Sequence, residues 1–221
     1  MSNSVAKKIA MALSGFFLMV FLLQHLTINS LSVFSPDSFN EVSHFMGTNP
    51  VVQFLLQPIL AFAVIYHLVM GMRLEVQNRS SRPVRYAHNN ASANSTWMSR
   101  NMIITGIMVL LFLGLHFYDF WFPELNVKFI QGDMSGLNDA GEYRYFEELQ
   151  HKFIDPIRVV LYVLSFIFLA LHLMHGFQSA FQSVGFRHSK YTPLIKNLSN
   201  IYAVLVPLGF IVVAVFHYMV H

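Results

Sequence analysis

Four histidines stand inside long apolar stretches of this chain: His25, His67, His116 and His172. An ionisable side chain in an apolar run of membrane-spanning length is rare and costly, so each is a functional candidate. Imidazole is also a common ligand for transition metals. The chain has 11 histidines and no cysteine. Disulfides, iron–sulfur clusters and covalent c-type haem attachment are thereby excluded. A resident metal must be held by histidine, methionine or carboxylate.

The elements that must position these histidines follow from composition. Of 221 residues, 55% are hydrophobic and only 11% charged. A soluble domain would carry roughly 25% charged residues. The charges crowd between apolar runs at about 9–33, 51–74, 100–121, 155–181 and 198–220, each long enough to cross ~30 Å of hydrocarbon as helix. The expectation is an all-α membrane protein, 1–221 as one domain, with five transmembrane helices in a bundle. The N-terminal run is too long for a signal-peptide core, and no small-residue cleavage site follows it. Net charge is only +3, and the basic residues flank spans rather than form a groove-sized patch, so nucleic acid is not an expected partner.

Basic residues set the expected orientation. With the N-terminus cytoplasmic, the inner segments hold ten of the 14 basic residues and only Glu75 among the acids. That satisfies the positive-inside rule. The segment 78–98 then lies inside, where a soluble partner can dock. The acidic loop 122–154 lies outside, with a short helical stretch near 142–152.

Depth within the spans pairs the histidines. His25 lies 16 residues along span one, and His116 lies 16 residues beyond Arg100, each about 24 Å from the inner end. His67 precedes the inner end of span two by about 10 Å, and His172 that of span four by about 13 Å. The expected pairs are His25 with His116 near the outer face and His67 with His172 near the inner face. Two imidazoles facing across a bundle are what a six-coordinate haem needs. Both axial positions are then filled, which suits electron transfer rather than oxygen binding. The bundle is therefore expected to enclose two haem b groups.

A single membrane histidine is ordinarily an interhelical hydrogen-bond partner. Four at two matched depths are harder to explain that way, and zinc would want more ligands at one depth. The pattern H-L-x-x-G follows both inner ligands, placing Gly71 and Gly176 one turn away on the same face, with room for a flat ring. Gly114 stands similarly near His116. His175, one turn from His172, is the runner-up inner ligand. His217 is expected at the outer interface, and His44, His88, His151, His188 and His221 on loops or at the end.

The stretches Q-H-L-T-I-N (24–29), F-N-E-V-S-H-F-M (39–46), I-Y-H-L-V-M-G (65–71), L-H-F-Y-D (115–119) and L-H-L-M-H-G (171–176), in this order, carry a resemblance over nearly the whole chain. It is similar to the single-chain, five-helix, di-haem cytochrome b anchor of succinate:quinone oxidoreductases (succinate dehydrogenase or quinol:fumarate reductase). The resemblance implies haem ligands at His25, His67, His116 and His172, paired as depth pairs them, and favours His172 over His175. It implies a flavoprotein partner with FAD, an iron–sulfur subunit docking on the cytoplasmic face, and a quinone, usually menaquinone, near the outer haem. It implies residence in a bacterial inner membrane. An anchor for another quinone-linked enzyme, such as a hydrogenase or formate dehydrogenase, is the alternative.

Quinone chemistry needs a proton donor or acceptor near the outer haem. Asp119, one turn beyond His116, is the first candidate, with Glu41 and His44 in the first outer loop behind it. Arg73, Arg100 and Lys190 are candidates for pairing with haem propionates on the inner side.

Overall fold

The computed structural model describes residues 4–80, 101–186 and 188–220. Arg100, Arg187, His88, His221 and nearly all of the segment 78–98 lie outside the described residues. Most of the described chain is helical; 131–144 forms a loop closed by an isolated antiparallel bridge between Leu137 and Tyr143. Five helices are long and apolar enough to cross a membrane.

We label the helices in chain order. Helix α1 is Ser4–Phe34 and α2 is Pro36–Thr48. Helix α3 opens with a π-turn, Val52–Leu56, and runs on as Gln57–Ser80. Helix α4 spans Met102–Ile130, α5 Tyr145–Lys152, α6 Pro156–Ser183 and α7 Thr192–Met219. Caps explain several starts. Ser35 accepts from the Ser38 amide at 3.2 Å and Asp155 from the Ile157 amide at 2.9 Å, each followed directly by proline at the first helical position.

Both prolines inside α3 and α4 follow a wide turn. Pro58 comes just after Val52–Leu56, where the Gln57 amide bonds back to Val52. Pro123 comes just after Phe117–Trp121, where the Phe122 amide bonds back to Phe117. A proline has no amide to offer the carbonyl four residues earlier and crowds it. The i→i+5 turn relieves that and lets the helix continue. For this reason α4 does not stop at 121, where Pro123 and Glu124 in the sequence signal an end, but extends to Ile130. Similarly, α7 begins at Thr192 rather than 198, and 36–48 in the first outer loop is helical.

Four spans form a square. Helix α1 packs on α3 and α6, and α4 packs on α6 and, more lightly, on α3. The diagonals are therefore α1 to α4 and α3 to α6. Helix α7 lies against α6 and α1, closing one side. Its inner face is small or apolar: Ala203, Val206, Phe210 and Ala214 are buried. Tyr202 donates to the Met19 carbonyl at 2.6 Å, tying α7 to α1. In lipid, where apolar burial drives nothing, such close packing and hydrogen bonding hold helices together.

At Gly209 helix α7 faces Leu26 of α1. An added Cβ there would meet Leu26 Cδ2 at 2.8 Å and Cδ1 at 2.9 Å. Gly209→Val is expected to destabilise the bundle by about 1–3 kcal/mol through overpacking. Denaturant-induced unfolding in detergent measures it.

Candidate haem-binding centre of the helix bundle

The histidines of each diagonal meet. His25 on α1 and His116 on α4 have ring centres 5.7 Å apart with planes at 83°. His67 on α3 and His172 on α6 have ring centres 6.4 Å apart with planes at 67°. Each pair crosses the centre of the square from opposite corners. The His67 pair lies toward the end of the bundle where α1 begins, and the His25 pair toward the far end.

The side chains around the imidazoles decide whether these pairs suit a metal between them. Ser14 Oγ lies 3.2 Å from His67 Nδ1, and Thr105 Oγ1 lies 3.3 Å from His172 Nδ1. The Asn29 amide nitrogen is 3.5 Å from His25 Nδ1. Nδ1 of His116 is buried with no hydrogen-bond partner. Metal–imidazole bonds of about 2.0 Å, with ~1.1 Å from each Nε2 to its ring centre, set coaxial ring centres about 6 Å apart. Both pairs stand near that separation. The ring spacing of each pair is thus compatible with a metal held between two imidazoles.

Small residues flank the rings as well. A Cβ added at Gly15 would touch His67 Cε1 at 3.6 Å, and one at Gly106 would touch His172 Cε1 at 3.6 Å. Gly71 and Gly176 instead face the methyls of Met11 and Met102, at 3.4 and 3.5 Å from an added Cβ. Beside Gly114 the space is open. Aromatic rings pack round the far pair: Phe21 stacks on His25 at 5.4 Å, and Phe112 and Phe120 lie 5.8 and 5.3 Å from His116.

Asp119 does not face water. It is 1% exposed, turned into the bundle by the π-turn that follows His116. Arg158 pairs with it at 2.5 Å and the Tyr162 hydroxyl donates to it at 2.9 Å. The Tyr162 ring is also 6.5 Å from that of His116. A carboxylate, a guanidinium and a phenol thus stand together directly beyond the far histidine pair.

The remaining candidates are more dispersed. Glu41 is exposed on α2. His44 stacks on Tyr143 at 4.5 Å, with Nδ1 3.4 Å from the Tyr145 hydroxyl. Arg73 lies on the last turns of α3, in a cleft shared with Lys7 and Met70. Lys190, between α6 and α7, rests its ammonium over the Tyr191 ring. His217, expected at the interface, is instead fully buried, with Nε2 2.8 Å from Ser32 Oγ. The reason is α7's register: His217 falls on the face that packs against α1, where a hydroxyl is waiting.

A polar strap closes the far end. Lys128 bonds the Gly47 carbonyl at 2.5 Å and Glu124 at 2.6 Å, and Arg144 bridges Glu124 and Glu148 at 2.5 Å each. Gly136, at φ +66°, passes under the Tyr145 hydroxyl, where neither a side chain nor another residue's backbone preference fits. Burial, and then the Glu124 carboxylate, push the Tyr145 phenol up from 10.0 to about 12. The folded state holds that proton more tightly than the unfolded chain. Its contribution is fully present below pH 10.0 and is lost as pH rises towards about 12. The wild-type minus Tyr145→Phe difference in phenolate absorbance should accordingly rise near pH 12 rather than 10.

The family model described as "Succinate dehydrogenase/Fumarate reductase transmembrane subunit" matches residues 8–81. The succinate dehydrogenase cytochrome b558 subunit of Bacillus subtilis (strain 168) is 30% identical over 103 residues. Over these stretches the chain is similar to those membrane anchors. The match to the Bacillus protein covers 45% of this chain and 46% of that one, about half of its length. No solved structure matches the chain significantly.

The family match spans α1 and α3 and so includes one histidine from each diagonal, His25 and His67. An internal repeat links the two halves of the chain. M-x-x-S-G runs from Met11 to Gly15, ten residues before His25, and M-x-x-T-G runs from Met102 to Gly106, ten residues before His116. H-L-x-x-G then recurs at His67 and His172. Ser14, Gly15, Thr105 and Gly106 had escaped the reading of the sequence, because a hydroxyl or glycine in an apolar helix is unremarkable alone. The repeated spacing to histidine was the signal that could have found them. Arg158 was missed too, because nothing local to Pro156–Arg158 points to Asp119.

Proposed function

We propose that this chain is the cytochrome b anchor of a succinate:quinone oxidoreductase, holding two b haems and carrying electrons between an iron–sulfur subunit and a quinone, usually menaquinone. The observation that carries the reading is the pair of imidazole couples on crossing diagonals of one bundle. When bound, haem supplies a one-electron centre whose iron changes oxidation state with little movement of its ligands. The chain's part is to hold and insulate. His25 with His116, and His67 with His172, offer two nitrogens apiece. Phe112, Phe120 and Phe21 exclude water from the far pair.

Asp119 is the proposed proton group for quinone at the far end. Arg158 holds its carboxylate in place at 2.5 Å, and Tyr162 offers a hydroxyl on the same path. Glu41 and His44 stand as more peripheral candidates for the proton's route to water. Arg73, Lys190 and Arg100 are proposed cations for propionates at the other end. Charge asymmetry favours a cytoplasmic N-terminus, with the iron–sulfur and FAD-bearing flavoprotein subunits on that face, in a bacterial inner membrane. Electron transfer between the pairs then runs across the bilayer and couples to potential, at ~2.3 kcal/mol per charge per 100 mV for full crossing.

A reduced-minus-oxidised spectrum of the complex, followed through succinate and menaquinol addition, tests this. Both haem signals should respond to both reductants. A colourless chain would refute the reading.

A further inference from the structure

Each hydroxyl beside the His67–His172 pair also reaches a carbonyl of its own helix. Ser14 Oγ donates to the Met11 carbonyl at 2.8 Å, and Thr105 Oγ1 to the Met102 carbonyl at 3.0 Å. A hydroxyl has one proton to give and two lone pairs to receive. A hydroxyl that gives its proton to its own helix carbonyl can only accept from the neighbouring imidazole. In that arrangement the proton of the Ser14–His67 contact at 3.2 Å sits on His67 Nδ1, and that of the Thr105–His172 contact at 3.3 Å on His172 Nδ1. A neutral imidazole carrying its proton on Nδ1 has a free lone pair on Nε2. The other diagonal lacks this arrangement: Asn29 brings an amide nitrogen to His25 at 3.5 Å, and His116 Nδ1 has no partner.

We infer that Ser14 and Thr105 are positioning residues that fix the tautomer and raise the basicity of His67 and His172, setting one iron centre apart from the other. The inference rests on the di-haem reading and adds a role no ligand residue supplies. The same device is built twice, on α1 for the ligand of α3 and on α4 for the ligand of α6, at the same ten-plus-one spacing to His25 and His116. Nothing in apolar packing asks for a hydroxyl at both places. Gly15 and Gly106, next in sequence, lie beside the same rings, where an added Cβ would make ordinary contact at 3.6 Å. A hydrogen-bond acceptor on the outer nitrogen strengthens an imidazole's donation to its metal. Stronger donation favours the ferric state, so the chains Nδ1–H to Oγ–H to carbonyl hold this centre's potential down.

The test is potentiometric titration of the assembled complex in membranes. Ser14→Ala and Thr105→Ala are compared with Ser14→Thr, Thr105→Ser and wild type. Each alanine variant should raise the midpoint potential of one haem, the one that His67→Ala removes, and leave the other at its wild-type value. The hydroxyl-for-hydroxyl exchanges should keep wild-type potentials. Loss of that haem in an alanine variant with recovery in its hydroxyl exchange also supports the role. Unchanged potentials, an equal shift of both haems, or a loss that the hydroxyl exchange does not restore would overturn it while the two-haem reading stands. A wild-type complex without haem would take down the parent reading, and is recognised before any variant is made.

Discussion

His25→Ala is expected to remove one of two haems and leave the other spectroscopically intact, so that about half of the reduced-minus-oxidised haem absorbance is lost. His116→Ala should give the same result, because these rings face each other at 5.7 Å on one diagonal. His67→Ala and His172→Ala should each remove the other half, because their rings meet at 6.4 Å on the second diagonal. None of the four paired histidines lies on helix α7, which packs against α6 and α1. Emptying one site need not collapse the second. The pattern across four variants is the informative result: two phenotypes, shared in pairs across helices that are not neighbours in the sequence. His175→Ala should leave both haems in place, since the ring facing His67 is that of His172. If His25→Ala and His67→Ala instead removed the same haem, the diagonal pairing would be wrong.

Asp119→Ala should be the most disruptive single change outside the histidines. It leaves the Arg158 guanidinium without its partner at 2.5 Å and the Tyr162 hydroxyl without its acceptor at 2.9 Å. Breaking a buried pair from one side costs about 3–5 kcal/mol. Arg158 is 24% exposed, so some solvent relief is available and about 3 kcal/mol is the better expectation. Thermal unfolding of the detergent-solubilised complex would register it. Asp119→Asn keeps the shape and an acceptor for Tyr162 but removes the charge and the proton-accepting oxygen. Its quinone reduction should fall by roughly 10²-fold or more if Asp119 relays a proton, the usual scale for a positioned acid or base. Haem reduction by succinate should persist in that variant. An Asn variant with full quinone activity would reduce Asp119 to a structural role.

Much of this was readable from residue order because membranes constrain so strongly. Five apolar runs of sufficient length leave helix as the open structure that satisfies its own backbone in lipid. A fixed rise per residue converts the positions of His25, His67, His116 and His172 into depths, and the depths into pairs. What resisted reading was set by geometry across helices. Pro123 and Glu124 mark an end to α4 in sequence, yet a π-turn carries the helix past them. The segment P-D-S-F-N-E-V-S-H-F-M-G-T is too polar to read as a span and too short to show a strong period, so α2 went unseen. His217 looked interfacial by position, but the Ser32 hydroxyl on another helix gives it a buried partner. The link from Arg158 to Asp119 crosses 39 residues and two elements, and no local pattern encodes it. The repeat that unites Ser14 with Thr105 was present in plain text, and became meaningful once both hydroxyls were found against imidazoles.

A density map of the assembled complex, resolved well enough to show flat macrocycles and metal bonds, bears most directly on the bundle's role. The expected result is two haems one above the other, one iron bonded by Nε2 of His25 and His116, the second by Nε2 of His67 and His172. A bundle with no macrocycle between those rings, or an iron bonded by His175 in place of His172, would contradict it.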